Sequence, residues 1–136
     1  MERTSDRGNL GGLAILVVED DNDTRELLRV LLETQGANVR VASSVAEALT
    51  AYDQSRPDIL VADIGMPDYN GYTLIGRVRA RDRERGNFVP AIALTAYATA
   101  VDRDTVLNAG FQVHMPKPFD PANLCAVIAD LVAQYK

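Results

Sequence analysis

Five short apolar runs alternate with five stretches of helical periodicity along this chain, and that alternation constrains the fold more than any other property of the sequence. The runs are Leu13–Val18, Val39–Ala42, Asp58–Ala62, Ala91–Leu94 and Phe111–Met115. The first is apolar without interruption, as a strand covered on both faces must be. Leu27, Leu28, Leu31 and Leu32 make one helical stripe, Val45, Leu49 and Tyr52 a second, and Leu74, Ile75 and Val78 a third. Ala98–Ala109 is a weaker helix, and Leu124, Val127, Ile128, Leu131 and Val132 give a full stripe after it. Strands that alternate with helices over short connections pair in parallel, because a parallel pair needs a crossover between its members. The predicted fold is therefore α/β, a five-stranded parallel sheet with helices on both faces.

Local chemistry punctuates the same pattern. Asp21, Asn22 or Asp23 can cap the first helix, and Gly36 ends it in the position where glycine is favoured. Ser44 with Glu47 three residues on forms a capping box, Pro57 closes the second helical region, and Gly110 closes the fourth. Asp120 and Pro121 supply an N-cap and first-turn proline for the last helix. The arginines from Arg77 to Arg85, interleaved with Asp82 and Glu84, read as a solvated face. Residues 1–12 are glycine-rich and charged, a flexible lead-in or linker, which leaves 13–136 as the single domain.

Composition closes off several function classes. One cysteine, Cys125, excludes a disulfide framework and a cysteine-rich metal site, and it is expected in the core of a chain from a reducing cytoplasm. No apolar run approaches a membrane span, and residues 1–12 are too polar for a signal peptide. The net charge of −5 argues against direct nucleic-acid binding, which calls for a basic surface.

In a parallel sheet every strand ends at the same edge, and ligands bind beyond those carboxyl ends. The residues just past each run are therefore informative. Glu19 and Asp20 come after the first, Asp63 after the third, Thr95 after the fourth and Lys117 after the fifth. Carboxylates crowded at one rim repel unless a cation or a shared proton intervenes. Hard oxygen ligands without His or Cys favour Mg²⁺ over zinc. A divalent cation, a lysine and a hydroxyl around one aspartate are what a phosphoryl group needs.

Four segments now carry a resemblance: Val-Val-Glu-Asp-Asp at 17–21, Asp-Ile-Gly-Met-Pro at 63–67 with Asn70-Gly71-Tyr72, Ala-Leu-Thr-Ala-Tyr-Ala at 93–98, and Pro-Lys-Pro-Phe at 116–119. In this order and spacing they resemble the signature segments of the two-component response-regulator receiver domain, over about residues 13–135. The resemblance implies strand order 2-1-3-4-5. It makes Asp63 the phosphoacceptor that attacks a phosphohistidine, supplied by a histidine kinase or phosphotransfer domain. It makes Asp20, with Glu19 through water, Asp63 and the Gly65 main-chain carbonyl, the holders of Mg²⁺. Thr95 would hydrogen-bond the phosphoryl group and move toward it, Lys117 would pair with a phosphoryl oxygen, and the Lys117–Pro118 peptide would be cis. The signal would pass through the surface of the fourth helix, fifth strand and fifth helix, which is also a candidate homodimer face, to a downstream protein or attached output domain. Such a receiver catalyses its own phosphorylation and is not a turnover enzyme.

Departures from the family pattern sharpen these expectations. Three positions before the lysine the family carries an aromatic switch residue, and here stands His114. Gly65 and Tyr97 flank the path of hydrolytic water, and Met66 is expected to pack under the loop. Residues 109–114 look more like receivers attached to hybrid sensor kinases than those of DNA-binding regulators. The alternatives are a pseudo-receiver that only binds protein, a haloacid-dehalogenase-type phosphatase and a flavin protein. The phosphatase wants a second aspartate where Gly65 stands, and the flavin reading lacks a phosphate-cradling loop after the first strand.

Overall fold

The computed structural model describes residues 10–64, 71–95 and 100–135. Its strands are β1 (Ala14–Val18), β2 (Asn38–Ala42), β3 (Ile59–Asp63), β4 (Ala91–Thr95) and β5 (Val113–Pro116). The helices are α1 (Asn22–Thr34), α2 (Val45–Gln54), α3 (Gly71–Arg85), α4 (Ala100–Ala109) and α5 (Pro121–Tyr135). All strand pairs are parallel, in the order β2-β1-β3-β4-β5. This is the expected fold and strand order. No helix among the described residues is long and apolar enough to cross a membrane.

Side-chain alternation divides the core into two layers. Leu16, Val18, Leu60, Ala62, Ala91 and Ala93 face one side, where they meet Leu49, Tyr52, Leu74, Ile75 and Val78 of α2 and α3, with Val106 of α4. Ile15, Val17, Ile59, Val61, Ile92 and Leu94 face the other, against Leu28 and Leu32 of α1 and Leu124, Ile128 and Leu131 of α5. A one-residue slip in register would exchange these two sets between the faces of the sheet. Cys125 is buried in the second layer, as expected.

Several boundaries differ from the sequence reading. Leu10 is fully buried, its amide donates to the Gln35 carbonyl at 3.3 Å and the Gly12 amide to that of Gly36 at 3.0 Å, so the fold begins inside the expected lead-in. Leu27 leaves the predicted stripe and is 66% exposed, because Leu28 and Leu32 already fill the contact of α1 with the sheet. β5 starts at Val113, since Phe111 turns back into the layer beneath α4. Asp21 is the cap of α1, accepting from the Thr24 amide at 2.8 Å. Ser44 caps α2, but Glu47 reaches back to the amide and hydroxyl of Ser43 instead of closing the box on Ser44.

The arginine-rich end of α3 is the largest correction. Arg81 and Arg85 do lie on the surface, paired with Asp53 at 2.8 and 3.0 Å. Arg79 and Asp82, however, are buried at the amino-terminal edge of the sheet. The Arg79 guanidinium donates to Asp82 at 2.6 Å, to the Val89 carbonyl at 2.6 Å, to the Gly110 carbonyl at 3.0 Å and to Gln112 at 2.9 Å. Asp82 also accepts from the Tyr52 hydroxyl and the Val89 amide, while Gln112 accepts from the Ala91 amide. Gly110, at φ +128°, lets this fork approach: an added Cβ would stand 3.3 Å from Arg79 Cγ and 3.2 Å from Ile75 Cγ1. Burial, reinforced by Asp82, holds the Tyr52 hydroxyl above its ordinary pKa.

Removing one partner of a buried pair strands the other charge, so Asp82→Ala is expected to lower stability by roughly 3–5 kcal/mol, read from urea midpoints. Tyr52→Phe should cost about 1–3 kcal/mol for the donor that Asp82 loses. The raised Tyr52 pKa means that wild-type stability from this group is intact below about pH 10, where the unfolded phenol titrates, and is lost as pH rises further. Tyr52→Phe should therefore show a shallower alkaline decline; an unchanged slope would separate Tyr52 from it.

Candidate functional site

The carboxyl ends of β1, β3 and β4 bring the singled-out groups to one edge. Asp63 is the last residue of β3, in register with Leu94 of β4, so Thr95 stands one step beyond it on the adjacent strand. Both are buried, at 4% and 3% exposure. Glu19 follows β1 and is 2% exposed, its amide continuing the ladder to the Ala42 carbonyl at 3.0 Å. Lys117 leaves β5 with its amide bonded to the Thr95 carbonyl at 2.7 Å, and the following Lys117–Pro118 peptide is cis, as expected.

Two carboxylates and one ammonium form the centre. Lys117 Nζ donates to Asp63 Oδ2 and lies 3.6 Å from Glu19 Oε1. Glu19 Oε2 accepts from the Asp21 amide at 3.1 Å, whereas Glu19 Oε1 is buried and, among the described residues, has no hydrogen-bond partner. Burial, with the adjoining Asp63 carboxyl, pushes the Glu19 carboxyl up to about 7. Burial alone would lower the Lys117 ammonium, but its hydrogen bond to Asp63 and the charges of Asp63 and Glu19 hold it above the usual lysine value. A pair of abutting acids with one unsatisfied buried oxygen, all donors being oxygen, fits a hard divalent cation.

Of the three acids expected together, Glu19 and Asp63 are buried and adjoin each other, while Asp20, the next residue after Glu19, is exposed. Among the described residues no three side chains of the Asp, Glu, His and Cys set converge as a closed metal cage. Gly65, Met66 and Tyr97 lie outside the described residues. His114 sits half-buried on β5 opposite Ala93, away from the acid pair in sequence and on the edge strand. Sequence reasoning assigned no role to Arg25, whose guanidinium donates to the Glu19 carbonyl at 3.0 Å. An arginine one turn into the helix behind an acidic pair is its only signal. Beside the centre, Lys117, Pro118 and Phe119 line an apolar groove of about 460 Å³ with Thr24, Leu27 and Leu31 of α1.

A buried acid pair with a lysine at the carboxyl edge of a doubly wound parallel sheet agrees with a receiver domain. The family model described as response regulator receiver domain matches residues 15–129, and the chain belongs to that family. It is 47% identical over 119 residues to a 14.6 kDa protein from the sodA1 3′ region of Leptolyngbya boryana, covering 88% of this chain and 89% of that one. It is 38% identical to the transcriptional regulatory protein PrrA of Mycobacterium tuberculosis, covering 90% of this chain but 48% of that regulator. The chain thus spans about half the length of that relative. Among solved structures, the receiver domain of the sensor histidine kinase PA1611 from Pseudomonas aeruginosa, with magnesium coordinated in its active-site cleft, superposes with a TM-score of 0.79 at 30% identity, covering 90% of this chain and 99% of that one.

Lys117 faces both buried acids, so its loss leaves their charges opposed. Lys117→Met is expected to lower the stability of the metal-free protein by about 1–3 kcal/mol at pH 7, measured by urea denaturation. A variant as stable as wild type would show that the ammonium does not hold the acids together.

Proposed function

We propose that this receiver is a phosphoacceptor of two-component signalling, taking a phosphoryl group from the phosphohistidine of a histidine kinase or phosphotransfer domain onto Asp63. The observation that carries this reading is the buried Asp63 carboxylate, 4% exposed, held against the Lys117 ammonium beside Glu19. An Asp63 oxygen attacks phosphorus, the P–O bond forms as the P–N bond breaks, and the imidazole nitrogen departs with the electron pair. Lys117, already on Asp63 Oδ2, is placed to follow the developing charge onto a phosphoryl oxygen. The Thr95 hydroxyl, on the neighbouring strand, donates to another phosphoryl oxygen.

Asp63, Asp20, the Gly65 carbonyl and, through water, Glu19 would hold a divalent cation such as Mg²⁺, which would supply charge neutralisation. The magnesium in the cleft of the Pseudomonas receiver supports the same cation here. Thr95 and His114 then carry the state of the site to the surface of α4, β5 and α5, where a downstream protein, an output domain or a second copy reads it. The domain works in the cytoplasm, acts on itself and not on an external substrate, and leaves nucleic acid to its partners.

Incubation with acetyl phosphate and Mg²⁺ tests this directly. Intact mass should show one added phosphoryl group on the wild type and none on Asp63→Asn. An unmodified wild type would mark the chain as a protein-binding module without phosphorylation, and equal labelling of the variant would place the acceptor elsewhere.

A further inference from the structure

The junction between β1 and α1 has to leave the sheet and still hold two acids at its edge. The ladder ends with the Glu19 amide on the Ala42 carbonyl, so the carbonyls of Glu19 and Asp20 lie beyond strand pairing and before the helix. Arg25, in the first turns of α1, captures both: its Nη1 donates to the Glu19 carbonyl at 3.0 Å and, at a longer 3.4 Å, to that of Asp20. Its Nη2 donates to the Asn22 side chain, and its amide to the Asp21 carbonyl at 2.9 Å. Arg25 therefore contacts each of residues 19–22, its guanidinium at Glu19, Asp20 and Asn22 and its amide at Asp21, without using a carboxylate oxygen.

We infer that Arg25 is a positioning residue for the acid pair, setting the turn that sends the Glu19 carboxylate inward while Asp20 stays at the rim. The inference rests on the phosphoacceptor reading and extends it to the cation site. The main alternative restraint on this turn is the bond from the Asp21 amide to Glu19 Oε2, which uses a carboxylate oxygen that a cation competes for. Arg25 instead fixes main-chain atoms and leaves the carboxylates available. Its planar fork serves two carbonyls and a side-chain amide at once, a geometry that the point charge of lysine does not reproduce. Groups that orient ligands without touching the metal typically carry a tenfold to hundredfold effect on its affinity.

The test compares wild type, Arg25→Gln and Arg25→Lys by calorimetric titration with Mg²⁺, by thermal melting, and by acetyl phosphate labelling across Mg²⁺ concentrations. Arg25→Gln should bind Mg²⁺ roughly tenfold or more weakly, melt close to wild type, and regain the wild-type labelling rate at saturating Mg²⁺. Arg25→Lys should fall between the two. Unchanged Mg²⁺ affinity in Arg25→Gln, with a wild type that binds and labels, overturns the role of Arg25 and leaves the phosphoacceptor reading standing. A labelling defect that persists at saturating Mg²⁺, or one that accompanies a large loss of melting temperature, also overturns it, as general damage to the fold. A wild type that neither binds Mg²⁺ nor becomes labelled removes the phosphoacceptor reading and this inference together.

Discussion

Parallel pairing sends the carboxyl ends of β1, β3, β4 and β5 to one edge, and nearly everything about this molecule derives from that constraint. Each crossover helix must return the chain to the opposite edge, so loops at the carboxyl edge are free to carry chemistry while those at the other edge only close the fold. Asp63 and Thr95 belong to the strands themselves and inherit the precision of the ladder. Glu19 and Lys117 sit one residue past their strands, still tied by amide bonds to Ala42 and Thr95. Two acids and an ammonium are thereby brought into contact from segments that lie far apart in sequence, without any long loop having to be ordered.

The energetics of that centre are unfavourable by construction. Burial opposes the charge on Glu19 and on Lys117 alike, and the proximity of Asp63 opposes the first while it supports the second. Hydrophobic layers on both faces of the sheet hold the groups in place, since β3 and β4 are buried along their whole length. The acid pair is thus held in a state that an added cation would relieve, and strongly perturbed groups of this kind concentrate at functional sites.

Much of this was legible in the residues. Strand number, helix number and parallel class came from Leu13–Val18 and its counterparts, because hydrophobic periodicity reports burial directly. The placement of Asp63, Glu19, Thr95 and Lys117 at one edge follows from their positions at the carboxyl ends of the strands, which only the parallel arrangement brings together. Arg79 and Asp82 were missed because a buried ion pair and a solvated one have the same spacing on a helix; only the partners from Tyr52, Val89 and Gln112 distinguish them. Leu10 was hidden by the glycines and charges around it.

The Arg79 fork gives the sheet two unlike ends. At the amino-terminal edge one guanidinium spans α3, the Val89 carbonyl before β4, and the Gly110 and Gln112 positions before β5, with Tyr52 of α2 joined through Asp82. β5, an edge strand with β4 as its one neighbour in the sheet, is anchored there at its start and linked at its far end to the site through Lys117. β5 is thus held at both ends, at its start through the Gly110 and Gln112 contacts of Arg79 and at its close through the Lys117 amide on the Thr95 carbonyl, so the buried ion network and the acid site brace the same edge strand.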